Sequence, residues 1–431
     1  MQYIHRKLSD ELIKWLGRRE ILAIRGPRQS GKTTLLEYLS SYIKESKNTL
    51  PENVVYISFE DRKEVDNFSK DPKSFTDAYI NGDFQKRYYF LFDEFQYIKN
   101  GGQKLKLLYD TYKNVKFIIT GSSSLELTGS TAKYLVGRIF LLNLYQFDFE
   151  EYLYTKPKNI LNHYRKNSSL VLDFIFNGKK AEEFSSIFTE DFIKFYEEYC
   201  IFGGYPEVVK TGSTQTKKII LENIYNTYID RDIIILLRIE DDFDFKNILT
   251  ILANQIGNII NYQSLDRDSL TYYKKLKHYL SILEETFIMR RLGPYYTNIS
   301  SEIRKNPKLY FIDNGLRNLI IENFNEFSLR KDKGSLVENT VFLQLFKNKF
   351  TLVRYWRTIH GAEVDFVIKI GENLIPIEVK YTNFTSTKPG RSFINFVKKY
   401  KHPRGLVLTK GFWGETKINK TDVLFAPVWF I

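Results

Sequence analysis

Cysteine occurs once in the 431 residues, at Cys200, and histidine only five times. A disulfide framework and a cysteine-rich zinc site are thereby excluded, as expected for a reducing compartment. No apolar stretch approaches the ~20 residues needed to span a bilayer. Nor is Met1-Gln2-Tyr3-Ile4-His5-Arg6-Lys7 followed by an apolar signal core. The expectation is a cytoplasmic protein that uses no membrane. The pattern G-x-G-x-x-G is missing, which removes the dinucleotide-binding reading of the alternating strands and helices in the first third. Internal repeats, low-complexity tracts and long flexible linkers are missing too.

What is present is a folded chain, 43% hydrophobic and long enough for two or three cores. The net charge of +13 with a pI near 9.3 favours polyanionic partners, because neutralising phosphates releases counterions. Nucleic acid leads that list, although a lysine-, asparagine- and isoleucine-rich composition also follows from genome base bias.

The apolar run Ile21-Leu22-Ala23-Ile24 precedes Gly26-Pro27-Arg28-Gln29-Ser30-Gly31-Lys32-Thr33, which fits G-x-x-x-x-G-K-[ST] at every fixed position. Glycines let backbone N–H groups close around phosphates, Lys32 reaches the β and γ phosphates, and Thr33 completes a Mg²⁺ shell. Thr34 opens the helix that should face the phosphates. ATP or GTP is the expected ligand, with ATP preferred. The run Tyr88-Tyr89-Phe90-Leu91-Phe92 delivers Asp93 and Glu94, Asp93 for the metal and Glu94 to polarise the attacking water. Thr120 and Ser122, after the strand Val115–Ile119, are expected to sense the γ phosphate. Arg138 enters a further strand. It could stabilise transition-state charge in its own subunit, do so in a neighbour's and so require at least a dimer, or form an ordinary salt bridge.

A second constellation lies near the C-terminus: Glu338 on an amphipathic helix, Asp365 in Glu363-Val364-Asp365-Phe366, and Glu378-Val379-Lys380. On adjacent strands Asp365 and Glu378 could bind one divalent cation, Mg²⁺ or alternatively Mn²⁺, with the Val379 carbonyl as a further ligand. Side chains alternate along a strand, so Lys380 shares a side with Glu378. Such a set can lower the pKa of a metal-bound water and neutralise a scissile phosphate. Alternating charge on a half-exposed strand is the plainer alternative.

The middle of the chain shows no catalytic cluster. Residues 147–153 and 192–199 read as helices of a lid. Phe202-Gly203-Gly204-Tyr205-Pro206-Glu207 reads as a hinge or a helix-ending turn. Tyr228–Ile233 reads as a helix with local salt bridges. From Phe245 onwards, short helices followed by the strand Lys308–Asp313 suit a winged helix. Its recognition helix, Leu270–Leu283, carries Lys274, Lys275, Lys277 and His278. Asn323–Gly334 is the most polar joint.

Taken in order, Gly26–Thr33, Asp93-Glu94, Thr120–Ser124, Gly137-Arg138, Gly203–Pro206, Asp230-Arg231-Asp232 and Glu338…Asp365…Glu378-Val379-Lys380 resemble the landmarks of a large archaeal and bacterial group. These are AAA-type ATPases with a C-terminal domain of unknown function that has a restriction-endonuclease-like fold. The resemblance covers nearly the whole length. It implies an α/β protein with an ASCE-type P-loop parallel sheet (1–145), a helical lid (146–240), a winged-helix region (241–325) and a PD-(D/E)xK nuclease-like domain (326–431). Val364 stands where the nuclease motif has proline. The combined expectation is an ATP hydrolase whose cycle repositions a winged helix and a metal-dependent nuclease-like domain on DNA, branched DNA included, in recombination, repair or defence. The rival is a nucleotide-switched signalling or scaffold ATPase whose C-terminal domain only binds. A small-molecule kinase fits less well, since it needs neither Glu94 nor a second metal site.

Overall fold

The computed structural model describes all residues except 1–2, 47–48, 81–85, 122–133, 181–183, 185–186, 236–238, 240, 264, 266–271, 296–304, 349 and 351, and leaves aside the side chains of residues 46, 231, 232 and 235. Ser122 therefore lies outside the described residues. Among them no helix is long and apolar enough to cross a membrane.

The chain divides into two compact units, residues 1–147 with 285–287, and residues 148–284 with 288–431. The first holds five parallel strands: β1 (Ile21–Arg25), β2 (Val54–Ser58), β3 (Tyr88–Asp93), β4 (Val115–Gly121) and β5 (Ile139–Asn143), in the spatial order β2-β3-β4-β1-β5. β4 is thus inserted between the strand of the phosphate loop and the strand of Asp93, as an ASCE-type core requires. Alternation sorts the apolar residues between two cores. Ile21 and Ala23 join Phe90, Phe92 and Phe117 on one face. Leu22 and Ile24 join Leu35, Leu36 and Leu39 of the helix Lys32–Ser46 on the other. Burial on both faces explains why these strands read as unbroken apolar runs.

The second unit begins with helices Phe149–Leu153, Lys158–Asn177, Thr189–Phe202, Pro206–Lys210 and Thr214–Tyr225. The first is fixed by a capping box between Asp148 and Glu151. A π-helix, Asn226–Ile235, follows, and its Asp230 pairs with Lys246 at 2.9 Å. Helices Asp242–Asn254 and Tyr273–Glu285 precede the antiparallel pair β6 (Met289–Leu292) and β7 (Lys308–Phe311), with Ile259 bridging to Lys308. The expected recognition helix is described from Tyr273 onwards.

The C-terminal sheet contains β8 (Val353–Arg357), β9 (Glu363–Ile370), β10 (Asn373–Lys380), β11 (Arg404–Thr409), β12 (Gly414–Ile418) and β13 (Thr421–Pro427), ordered β12-β13-β11-β10-β9-β8. The divisions expected near 240 and 325 both fall within this second compact unit. The polar joint there is not a free linker. Arg330 is buried and grips Asp332 at 2.8 Å and Asn318 at 2.9 Å, while Arg317 pairs with Asp332 at 2.5 Å.

Gly203-Gly204 also has a definite role. Gly203 ends the helix Thr189–Phe202 at φ +73°, and a Cβ there would lie 2.2 Å from Asp313 Oδ1. The Gly204 N–H donates to Asp313 Oδ2 at 2.8 Å. This is a helix-ending turn whose glycines admit a buried carboxylate.

Candidate functional site

β1 runs directly into the phosphate loop. Gly26 must be glycine, because a Cβ would sit 2.0 Å from the Leu144 carbonyl oxygen. Gln29 and Gly31 take positive φ, +59° and +92°, a backbone habit that turns N–H groups towards an anion. Ser30 is fully buried and its Oγ has no hydrogen-bond partner among the described residues, so a polar atom in the loop is left over. The Lys32 ammonium, also buried, donates to the Gly26 and Pro27 carbonyls at 3.2 and 3.0 Å, which keeps its charge inside the loop. Pro27 is buried, Arg28 is half-buried, and Thr33 and Thr34 are exposed at the helix start.

Across the inserted strand, Thr33 Oγ1 donates to Asp93 Oδ2 at 2.7 Å. Two oxygen donors so placed suit a hard cation such as Mg²⁺, which the residues would hold between loop and strand. Thr120 Oγ1 donates to Asp93 Oδ1 and accepts from the Glu94 N–H at 3.0 Å. Glu94 itself adopts φ +52°, a left-handed conformation at the end of β3, and Gln96 Nε2 donates to its carboxylate. Lys32, Thr33, Asp93, Glu94 and Thr120 are therefore gathered at one end of the sheet.

Sequence reasoning missed three contributors. Arg6, 4% exposed, donates to the Ser30 carbonyl at 2.8 Å and the Tyr145 carbonyl at 2.5 Å, tying the N-terminal segment to the loop. Tyr56 donates to Asp93 Oδ2 at 3.0 Å, and burial together with Asp93 pushes its phenol well above the ordinary range. Gln96, which holds Glu94, is the third. Only Gln96 is close enough in sequence to have been suspected.

Arg138 is not brought to this site within its own chain. Its carbonyl accepts from the Ile21 N–H, at the start of β1, whereas the loop follows Arg25. Four residue steps along the strand separate the two ends, about 13 Å. The Arg138 side chain pairs with Asp110 at 3.3 Å. This pairing is the ordinary salt bridge that the sequence also allowed.

The C-terminal constellation departs from simple alternation. Two steps along β8 oppose three along β9 between the pairs Arg354↔Val367 and Trp356↔Val364, so β9 bulges across Asp365 and Phe366. Val364 and Val367 consequently share one core with Phe396, while the Phe366 ring lies 6.4 Å from Phe342 on the helix Lys333–Lys347. The β9–β10 ladder closes with Phe366↔Ile377. Beyond it the Val379 N–H turns to the Asp365 carboxylate at 2.7 Å.

Burial, with Glu338 nearby, pushes the Asp365 carboxyl up to about 7 against the opposing pull of Lys308. Glu378 is 5% exposed, raised by burial, and paired with Lys380 at 3.3 Å. Lys380 is thus on the side expected. Glu378 Oε2 is buried without a partner among the described residues, and a Cβ at Gly390 would touch Glu378 Oε1 at 2.8 Å.

Glu338 meets a lysine and a tyrosine. Its Oε1 receives the Lys308 ammonium at 2.9 Å and the Tyr310 hydroxyl at 2.6 Å, and Lys308 also reaches Glu363 at 2.6 Å. Among the described residues no group of three or more His, Cys, Asp or Glu side chains is arranged to hold a metal ion. The expected metal pair Asp365 and Glu378 lies on adjacent strands, while Glu338 and Glu363 are gathered around Lys308.

Comparison with known proteins follows this division. A family model described as an AAA domain matches residues 18–153. Two domains of unknown function match further segments, DUF8612 over 193–326 and DUF4143 over 333–428. An uncharacterized protein of Haemophilus influenzae is 24% identical over 430 residues, covering 98% of this chain and 97% of that protein. An uncharacterized protein of Methanocaldococcus jannaschii is 27% identical over 386 residues, 88% and 77% of the two chains. Among solved structures, the Aeropyrum pernix ORC1 protein in complex with DNA aligns with 75% of this chain and 93% of its own, at 10% identity and a TM-score of 0.30. Cdc6p from Pyrobaculum aerophilum aligns with 76% and 97%, at 12% identity and 0.26. Structural likeness this slight carries no inference about function. The match over residues 18–153, the inserted-strand sheet and the Lys32, Thr33 and Asp93 geometry together identify an AAA-type P-loop ATPase domain, followed in the same chain by a C-terminal domain of unknown function.

Proposed function

We propose that the protein hydrolyses ATP and uses the cycle to act on DNA, with Lys32 and Thr33 on the phosphates and Mg²⁺, Asp93 on the metal, Glu94 orienting water and Thr120 reporting the γ phosphate. The observation that carries the hydrolase reading is the Thr33–Asp93 hydrogen bond at 2.7 Å with Glu94 as the next residue. DNA as partner is supported by the net charge of +13 and by the helix Tyr273–Glu285, which presents Lys274 and Lys277. A cavity of about 570 Å³ lined by Asn261, Tyr262, Gln263, Tyr273 and Asn306 opens beside that helix. It offers amides and aromatic rings to a nucleic acid.

In this reading Asp365, Glu378 and Lys380 form a nuclease-like centre for recombination, repair or defence. The test is cleavage of duplex, single-stranded and branched DNA with Mg²⁺ or Mn²⁺, with and without ATP, in wild type and Glu378→Ala. Cleavage lost in the variant supports a nuclease; intact DNA with a folded, DNA-binding protein removes that part of the proposal.

A second reading, a nucleotide-switched ATPase whose C-terminal domain binds without cutting, is favoured by Lys308, whose ammonium sits among the carboxylates. Slow turnover indifferent to DNA, with tightly held nucleotide, would select it.

A further inference from the structure

We propose that Lys308 is the resident cation of the carboxylates Glu338 and Glu363 at the edge of the C-terminal centre, so that docked β7 keeps divalent metal ions out of this position. The inference rests on reading Asp365, Glu378 and Lys380 as a nuclease-like centre, and it concerns what fills the centre rather than what it cuts.

Lys308 begins β7, and its side chain is 3% exposed. Its ammonium lies 2.9 Å from Glu338 Oε1 and 2.6 Å from Glu363 Oε1. Glu338 comes from the helix Lys333–Lys347, and Glu363 comes from β9. Two carboxylates from two elements thus converge on one buried positive charge delivered by a third. A lone buried ammonium would be expelled as the neutral amine by desolvation. Two direct carboxylate contacts reverse that preference. Tyr310, two residues on and therefore on the same face of β7, adds its hydroxyl to Glu338 Oε1 at 2.6 Å.

The hairpin is held in this position by its neighbours. Asn339 exchanges two hydrogen bonds with the Phe311 backbone, at 2.8 and 2.9 Å. The Tyr310 ring stacks on Phe342 at 4.3 Å, and the Tyr355 hydroxyl donates to the Asn306 carbonyl at 2.7 Å. A divalent ion at this position would meet an ammonium at contact distance. Glu378 Oε2 is buried without a partner among the described residues, and Lys380, which neutralises its other oxygen, is also drawn by Asp365 and Glu338.

Nucleotide-free full-length protein is titrated with Mn²⁺ and bound metal is read by electron paramagnetic resonance, with thermal melting in parallel. Wild type should show no Mn²⁺ site that Glu338→Gln removes. Lys308→Met should gain one such site, tighter than any in wild type by roughly tenfold or more, the size expected when a positive charge at contact distance is removed. Lys308→Met/Glu338→Gln should lose it, and Lys308→Arg should behave as wild type.

Mn²⁺ binding by wild type that Glu338→Gln abolishes overturns the proposal, as does a folded Lys308→Met that binds no Mn²⁺. Should Lys308→Met fold only with Mn²⁺ present, a melting temperature that rises with Mn²⁺ supports it. Should it fail to fold even then, the carboxylates cannot accept a metal in place of the lysine, and the proposal falls. DNA cleavage is scored separately. A Lys308→Met protein that binds Mn²⁺ and leaves DNA intact keeps this inference and removes the nuclease reading.

Discussion

Glu94 follows the strand that carries Asp93, in a left-handed conformation at φ +52° that costs a side chain of this type about 1 kcal/mol or more. The strain is held by the Glu94 N–H to Thr120 and by Gln96 on its carboxylate, which aims the group without using it to bind nucleotide. Glu94→Gln should therefore retain ATP binding and lose turnover by about a hundredfold or more. Equilibrium nucleotide binding beside a steady-state phosphate-release assay checks this, and near-normal turnover would contradict it.

Asp365 offers a test in pH. Its folded pKa, raised to about 7 from 3.8, means that the folded chain binds the proton more tightly than the unfolded chain. This group's stability contribution is fully present below about pH 4 and is lost as pH rises towards 7. Asp365→Asn keeps an acceptor for the Val379 N–H and cannot titrate. Its stability relative to wild type should rise between those pH values and level off above them, measured by denaturant unfolding at each pH. A difference that is flat with pH would show that Asp365 is ionised throughout.

Among the elements, what was legible followed from local pattern. The apolar run before Gly26, the run before Asp93 and the polar residue ending β4 each place a side chain at a strand's C-terminal end, and the inserted-strand order brings those ends together. What was not legible came from contacts distant in sequence. Tyr56 meets Asp93 and Arg6 meets Ser30 across the fold. Lys308 meets Glu338 and Glu363 because β7 packs on the helix Lys333–Lys347, and nothing local to Lys308 says so. The β9 bulge had no signal either, since strict alternation was the only rule available for Glu363-Val364-Asp365-Phe366.

The turn at Gly203 lies between these cases. Glycine announced an unusual backbone, but only the fold shows the carboxylate of Asp313 against it. Gly203→Ala combines a positive φ with a 2.2 Å clash against a buried, hydrogen-bonded group. It should destabilise the second unit by about 2 kcal/mol or more, read as a lowered denaturant midpoint. An unchanged midpoint would mean that the turn relaxes freely.

At the scale of the whole molecule, an AAA-type ATPase domain and a larger unit with its own sheet share one basic chain. If the ATPase serves DNA, turnover should rise when duplex or branched DNA is added, and DNA affinity should fall steeply as salt is raised. Turnover that ignores DNA at low salt would favour the switch or scaffold reading. Arg138 lies at the far end of the sheet from its own phosphate loop, so a catalytic role proposed for it would have to act across subunits. That role predicts that mixing Lys32→Ala with Arg138→Ala chains restores turnover that neither shows alone. Full turnover by Arg138→Ala in a strictly monomeric protein would reduce Arg138 to its salt bridge with Asp110.

ATP hydrolysis depends on the site built around Lys32, whose buried ammonium lies inside the phosphate loop. The most direct measurement is steady-state ATP turnover by the full chain with Mg²⁺, wild type beside a folded Lys32→Ala. The account predicts turnover in wild type that falls to background in the variant; equal turnover in the two would place ATP hydrolysis elsewhere and contradict it.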